Sequence, residues 1–131
     1  MILCAQYESI LSIEEQAKLL EPINAARFGQ GLPPLEIRLD LSCVAQTASN
    51  EAYIGKYCDH RRLYERLNYC SSIIKGEVIA CNFIDHWDAT IGLLESPPHY
   101  KIIMLPTIKY AGVGKAGFEG IWRGWYTFDF D

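Results

Sequence analysis

Apolar residues recur at helical spacing through the first two-thirds of the chain and alternate with other residues near its end. Ser12-Ile13-Glu14-Glu15 has the pattern of a capping box, so a helix is predicted to start near Ser12. Ile13, Ala17, Leu20 and Ile23 would mark its inward face. Pro22 lacks the amide that a helix interior uses, and predicts either a kink or a fresh helix start. Residues 29–34 hold two glycines and two prolines and read as a turn. A second helix is predicted from about Asp40, as N-cap, to Lys56. Leu41, Val44, Ala45, Ala48 and Ala52 stripe it, and Gly55 stops it. A helical turn fits residues 62–67. A third helix fits 85–95, with Trp87, Ile91 and Leu94 inward and Pro97-Pro98 ending it.

After Pro106 the pattern changes. Residues 108–114 and 120–130 are rich in aromatic and β-branched residues, and a Gly/Lys/Glu segment joins them, which predicts a hairpin. Its second strand would alternate through Trp122, Gly124, Tyr126, Phe128 and Phe130, and Gly114 and Gly120 would bracket its tip. Residues 73–79 could add a short strand. Helices first and strands last predict an α+β domain, a three-layer α-β-α sandwich with a small central antiparallel sheet between three main helices.

Composition narrows the class. At 131 residues the chain fits one domain, with a core large enough to need no metal or staple. The net charge of −4 comes with no basic cluster beyond Arg61-Arg62, which sets nucleic-acid readers aside. No apolar run approaches the roughly 18 residues of a membrane span. Residues 1–5 are apolar, but too short and uncharged for a signal peptide. Five cysteines are an odd number, which predicts at least one free thiol, with Cys4 the candidate because termini are poorly tied down. Buried thiols, or one or two disulfides, both fit the others better than a zinc site, because their spacing matches no standard ligand pattern.

Several segments together resemble the motifs of one family. Ile23-Asn24-Ala25-Ala26-Arg27 with Gly31-Leu32-Pro33-Pro34-Leu35 is similar to its first-helix signature and following turn. Residues 41–48 resemble its second helix, and His60 falls where the first cleft histidine sits. Gly76-Glu77-Val78-Ile79-Ala80 is similar to its Gly-Glu-Asn-Ile-Ala, and Ser96-Pro97-Pro98-His99 to its Ser-Pro-Gly-His. Ala111-Gly112-Val113-Gly114 opens the matching hairpin. In these segments the chain resembles the cysteine-rich secretory, antigen 5 and pathogenesis-related (CAP, or SCP) domains. The match covers about residues 12–130 in one order, and the Ser-Pro-x-His form points to the bacterial branch. There are departures. Val78 stands for asparagine, Leu93 for a tryptophan, the loop after His60 is shortened, and Glu95 falls one residue before the family's second glutamate.

The resemblance implies a cleft that gathers His60, Glu77 and His99, with Glu95 beside it. Two neutral imidazoles can ligate a divalent cation such as zinc. Glu77 would ligate directly, bind a metal-bound water, or orient an imidazole by hydrogen bonding. His86, at a helix start, reads as solvated or capping. Tyr126, Trp122 and Trp125 read as core packing rather than a sugar site. Cys58, two residues before His60, has no third orienting group and is set aside as a nucleophile. The resemblance further implies an extracellular or cell-envelope domain that binds a lipid, a sterol or a protein partner. A metal-assisted hydrolase using His60, Glu77 and His99 is the rival reading, and an interaction module with a vestigial cleft is a third. No His-Glu-x-x-His helix and no dedicated nucleophile supports the enzyme.

Overall fold

A computed structural model describes residues 9–117 and 123–131. The first helix, α1, spans Ile13–Gly29, and Ser12 caps it by accepting a hydrogen bond from the Glu15 amide at 3.1 Å. Pro22 neither kinks nor restarts it; the helix runs through as one element with the ring buried. The inward face differs from the predicted one. Ile13 and Ala17 face solvent, while Gln16, Leu19, Leu20, Ile23 and Arg27 are buried. A periodicity search that counts only apolar residues misses the two polar members of that stripe.

Those polar residues tie the layers together. The Arg27 guanidinium donates to the carbonyls of Pro33 at 3.2 Å, Ile103 at 2.8 Å and Leu105 at 3.0 Å. Asn24 accepts from the Leu35 amide at 2.8 Å and donates back to the Leu35 carbonyl at 3.3 Å, which fixes the loop after α1. That loop leads into β1, Glu36–Ile37, and then α2, Leu39–Gly55. The α2 N-cap is Arg38 rather than Asp40. Asp40 lies in the first turn and instead pairs with Arg38 at 2.7 Å. The apolar stripe of α2 is buried as its spacing predicts, and Lys56 closes the helix in the left-handed region at φ 54°.

The predicted turn at 62–67 is a full helix, α3, Leu63–Cys70, stapled to α2 by the Cys43–Cys70 disulfide within a cluster that includes Val44, Leu63 and Leu67. Then come β2, Gly76–Phe83, α4, His86–Leu94, and α5, Pro97–Ile103. Asp85 caps α4 by accepting from the Asp88 amide at 2.8 Å. Trp87 and Ile91 do not point inward; Ala89, Thr90 and Leu93 do. Pro97 and Pro98 end nothing further and instead begin α5, where a missing amide costs no hydrogen bond.

The sheet is completed by β3, Tyr110–Ala116, and β4, Gly124–Phe130, in the order β1-β3-β4-β2. The β3–β4 and β4–β2 pairs are antiparallel, and the two-residue β1 pairs parallel to β3. Gly114 lies inside β3, not at the hairpin tip, and Gly120 and Trp122 fall outside the described residues. Tyr126, Phe128 and Phe130 face the core shared with α1, α4 and α5, so the predicted alternation holds over the described strand. Trp125, Thr127 and Asp129 alternate with them and are also buried, because α2 covers that other face.

The glycines of β3 set the spacing of the sandwich. A Cβ at Gly112 would lie 2.1 Å from the Leu41 carbonyl carbon, and one at Gly114 would lie 2.3 Å from the Ala45 carbonyl oxygen. Helix and strand therefore touch backbone to backbone. Beyond the short β1, side chains bond to the edge of β3. Gln16 accepts from the Val113 amide at 3.1 Å, and Gln46 accepts from the Lys115 amide at 3.0 Å while donating to its carbonyl at 2.8 Å. Gly112→Ala is expected to destabilise the fold by about 3 kcal/mol or more, since only backbone could move to admit the methyl group. The urea midpoint measures it.

Candidate functional site

Strand alternation puts Glu77 on the α2 side of β2, one residue before Val78, which belongs to the opposite core. The Val78 departure therefore removes no polar group from the Glu77 face. Glu77 is 5 % exposed, and a carboxylate so buried must be paired. Arg66, on the inward face of α3, meets it with two bonds, Nη1 to Oε2 at 2.7 Å and Nη2 to Oε1 at 3.0 Å. His60, on the turn between α2 and α3, places Nδ1 2.8 Å from Oε1.

A fourth group was hidden from sequence reasoning. Asp129 is the register partner of Glu77 across β2 and β4, and it is fully buried on the same face. Among the described residues, no N–H or O–H of another group reaches either Asp129 oxygen. Burial, then the adjacent Glu77 charge, hold its pKa well above the usual carboxylate range, and the acid form donates to Glu77. For Glu77, burial alone would raise the pKa. Hydrogen bonds from His60, Arg66 and Asp129, with the charge of Arg66, outweigh that effect and hold it at about 2. Two carboxyl groups and one guanidinium thus share a single negative charge on Glu77.

An ionised Glu77 accepts from His60, so Nδ1 carries a proton, and in the neutral ring Nε2 holds the lone pair. The ring is 48 % exposed and stands at the mouth of the site. His99 lies in the first turn of α5, positioned by the two prolines before it, and its Nδ1 shares a hydrogen bond with Ser96 Oγ at 2.8 Å. Burial, then repulsion from His60 whenever that ring is protonated, lower the His99 pKa. Beside His60 and Glu77 lies a cavity of about 350 Å³, with Leu63, Tyr64, Leu67 and Ile74 on its walls. His99 is not among its lining residues.

The structure thus joins His60 to Glu77 directly and sets His99 within electrostatic reach of His60. Of the three roles considered for Glu77, the geometry fills the one that orients an imidazole, because both its oxygens are engaged. Among the described residues, no group of three or more His, Cys, Asp or Glu side chains is arranged to hold a metal ion. Glu95 is the C-cap of α4 and exposed, with no hydrogen bond or ion pair from its carboxylate among the described residues. His86 opens α4 half-buried. Cys58 is bonded to Cys81 and carries no thiol. With Cys43–Cys70 this makes two disulfides, and Cys4 lies outside the described residues.

Comparisons with known proteins agree with this fold. The model of the cysteine-rich secretory protein family, CAP, matches residues 20–130. The fold is similar to that of an extracellular protein containing an SCP domain from Bacillus anthracis, with a TM-score of 0.74 at 24 % identity, covering 88 % of this chain and 39 % of that one. It is similar to a cysteine-rich secretory protein from Staphylococcus aureus, with a TM-score of 0.67 at 19 % identity over 94 % of this chain and 39 % of that one. It is also similar to an outer surface protein from Borrelia burgdorferi, with a TM-score of 0.75 at 16 % identity over 93 % and 96 % of the two chains. The chain therefore spans well under half the length of the first two. No curated protein matches it.

Two outcomes follow from the charge cluster. Arg66→Met leaves Glu77 buried without its counter-ion and is expected to cost about 3–5 kcal/mol in guanidinium unfolding. The pH dependence has two signs. The Glu77 contribution is present above the unfolded carboxylate value of about 4.3 and is lost as pH falls toward 2. Asp129 works the other way: the folded state keeps its proton while the unfolded chain releases it near pH ~3.9, so stability declines as pH rises above that value. Asp129→Asn is expected to flatten that decline in urea unfolding run from about pH 4 to pH 8.

Proposed function

This chain belongs to the cysteine-rich secretory protein family, CAP, and from that premise we propose that it is an extracellular, non-enzymatic binding domain. Its cleft takes a divalent cation such as zinc at His60 and His99, and an amphiphilic ligand, a lipid or sterol, in the adjoining cavity. The observation that supports the reading is that both imidazoles have Nδ1 engaged, by Glu77 and by Ser96, so that Nε2 of each ring is the atom the proposal assigns to the ion. Glu77 then serves the ion through His60, as a carboxylate behind a ligating histidine does. The depressed pKa of His99 favours the neutral form that coordinates.

The cavity supports the second half of the proposal. Four apolar or aromatic walls would take a hydrocarbon, and Lys75 and His60 at its rim would meet an anionic head. Two disulfides suit an oxidising compartment, and the similar folds come from proteins named as extracellular, secretory or outer-surface. No described helix is long and apolar enough to cross a membrane.

Calorimetric zinc titration tests the cation site. The parent is expected to bind modestly near neutral pH, and less as pH falls through the histidine range. His60→Ala and His99→Ala should each weaken binding at least tenfold while the far-ultraviolet circular dichroism keeps its folded form. A parent without histidine-dependent binding removes the cation from the proposal. Zinc-loaded protein that hydrolyses ester, peptide or phosphate substrates would replace the binding domain with the hydrolase.

A further inference from the structure

The two disulfides differ in place and in access. Cys43 and Cys70 are 1 % and 0 % exposed, sealed between α2 and α3. Cys58 is exposed, and its bond to Cys81 spans from the turn that carries His60 to the strand that carries Glu77. We infer that the Cys58–Cys81 disulfide is a redox-sensitive latch on the His60–Glu77 contact, opened by a dithiol while Cys43–Cys70 stays closed.

The turn is built to move as a unit once released. Asp59 accepts from the Arg61 amide at 3.0 Å and pairs with its guanidinium at 2.7 Å, so residues 59–61 hold their own shape. Arg62 follows in the left-handed region at φ 62°, a conformation that costs energy for a residue with a Cβ. On the near side, the chain is fixed by the Trp125 indole, which donates to the Tyr57 carbonyl at 3.0 Å. On the far side it is fixed by the start of α3. Between these two points, among the described residues, the covalent bond is joined by the His60–Glu77 hydrogen bond, the Arg62–Glu51 ion pair at 3.4 Å, the Arg61 guanidinium 3.7 Å over the Tyr57 ring and a long contact of 3.5 Å from Arg66 to the Arg61 carbonyl.

The chemistry is thiol–disulfide exchange. A thiolate of the dithiol attacks the exposed Cys58 sulfur as the Cys58–Cys81 bond breaks, and the electron pair leaves on Cys81 Sγ, which takes up a proton. That thiol has an acceptor in place, since Cys81 Sγ lies 3.9 Å from the Tyr57 carbonyl oxygen. The second thiol of the reductant then attacks the mixed disulfide and releases Cys58 as a thiol. The reductant leaves as its own disulfide, and two electrons and two protons have passed to the protein. The same attack on Cys43–Cys70 requires α2 and α3 to separate first. The inference uses the observed His60–Glu77 bond and stands whether or not the cleft binds a cation.

The test treats the native protein with millimolar dithiothreitol, alkylates it, and maps the labelled cysteines by mass spectrometry. Cys58 and Cys81 should label at least tenfold faster than Cys43 and Cys70; equal rates overturn the inference. Nitrogen-15 spectra of the histidine rings give the second readout. On reduction, the fixed Nδ1–H form of His60 should give way to averaged tautomers and return on reoxidation, with His99 and the far-ultraviolet circular dichroism unchanged. A His60 signal that ignores reduction overturns the latch. So does a global loss of circular dichroism, which would make the bond a general staple. Cys58→Ser with Cys81→Ser should reproduce the reduced spectrum.

Discussion

One buried carboxylate organises the functional half of this molecule. Glu77 sits on a strand covered on both faces, where an unpaired charge would be expelled or neutralised. Its pairing dictates the surroundings. Arg66 must reach through α3, which fixes that helix against α2, and His60 must come back across the turn. Asp129 can share the site only as an acid. The charge thus holds a proton on Nδ1 of the exposed His60 ring directly, while its other two partners, Arg66 and Asp129, are buried. This explains why the Arg66 side chain is 2 % exposed although it carries a full charge.

A second constraint is backbone satisfaction. Close approach of α2 to β3, made possible by Gly112 and Gly114, leaves no room for ordered side chains between them. Polar groups in the surrounding loops must then find partners elsewhere. Arg27 takes up carbonyls from the α1–β1 loop and from the α5–β3 connection, and Asn24 binds both backbone groups of Leu35. These residues lie in the segment that resembles the family's first-helix signature, which gives that signature a physical meaning: it closes loops.

Legibility in the sequence divided along the same lines. The α2 stripe, the Ser12 cap and the C-terminal strand alternation were readable because each depends on neighbours in the chain. The His60–Glu77 contact was readable only through resemblance, since a spacing of this length carries no geometry. Arg66 and Asp129 were not readable at all. Asp129 lies between Phe128 and Phe130, where an acidic residue on a strand normally faces water, and only the cover provided by α2 reverses that. Arg66 stands among Tyr64, Glu65 and Asn68, exposed residues that give no hint of an inward guanidinium. Trp87 and Ile91 point the opposite way, because their hydrophobicity predicts burial while small Ala89 and Thr90 make the contact. Long-range pairing and layer cover decide such positions, and a local pattern contains neither.

The glutamines that bond to β3 where β1 ends also bear on how copies of this protein meet. An uncovered sheet edge is a template on which another chain can add a strand, the first step toward swapped or fibrillar assemblies. β1 is only two residues long and would leave most of that border open. By engaging the Val113 and Lys115 amides and the Lys115 carbonyl, Gln16 and Gln46 remove the groups an incoming strand would need first. A helix-borne side chain does here what a longer strand does elsewhere, and it does so without offering a new edge of its own.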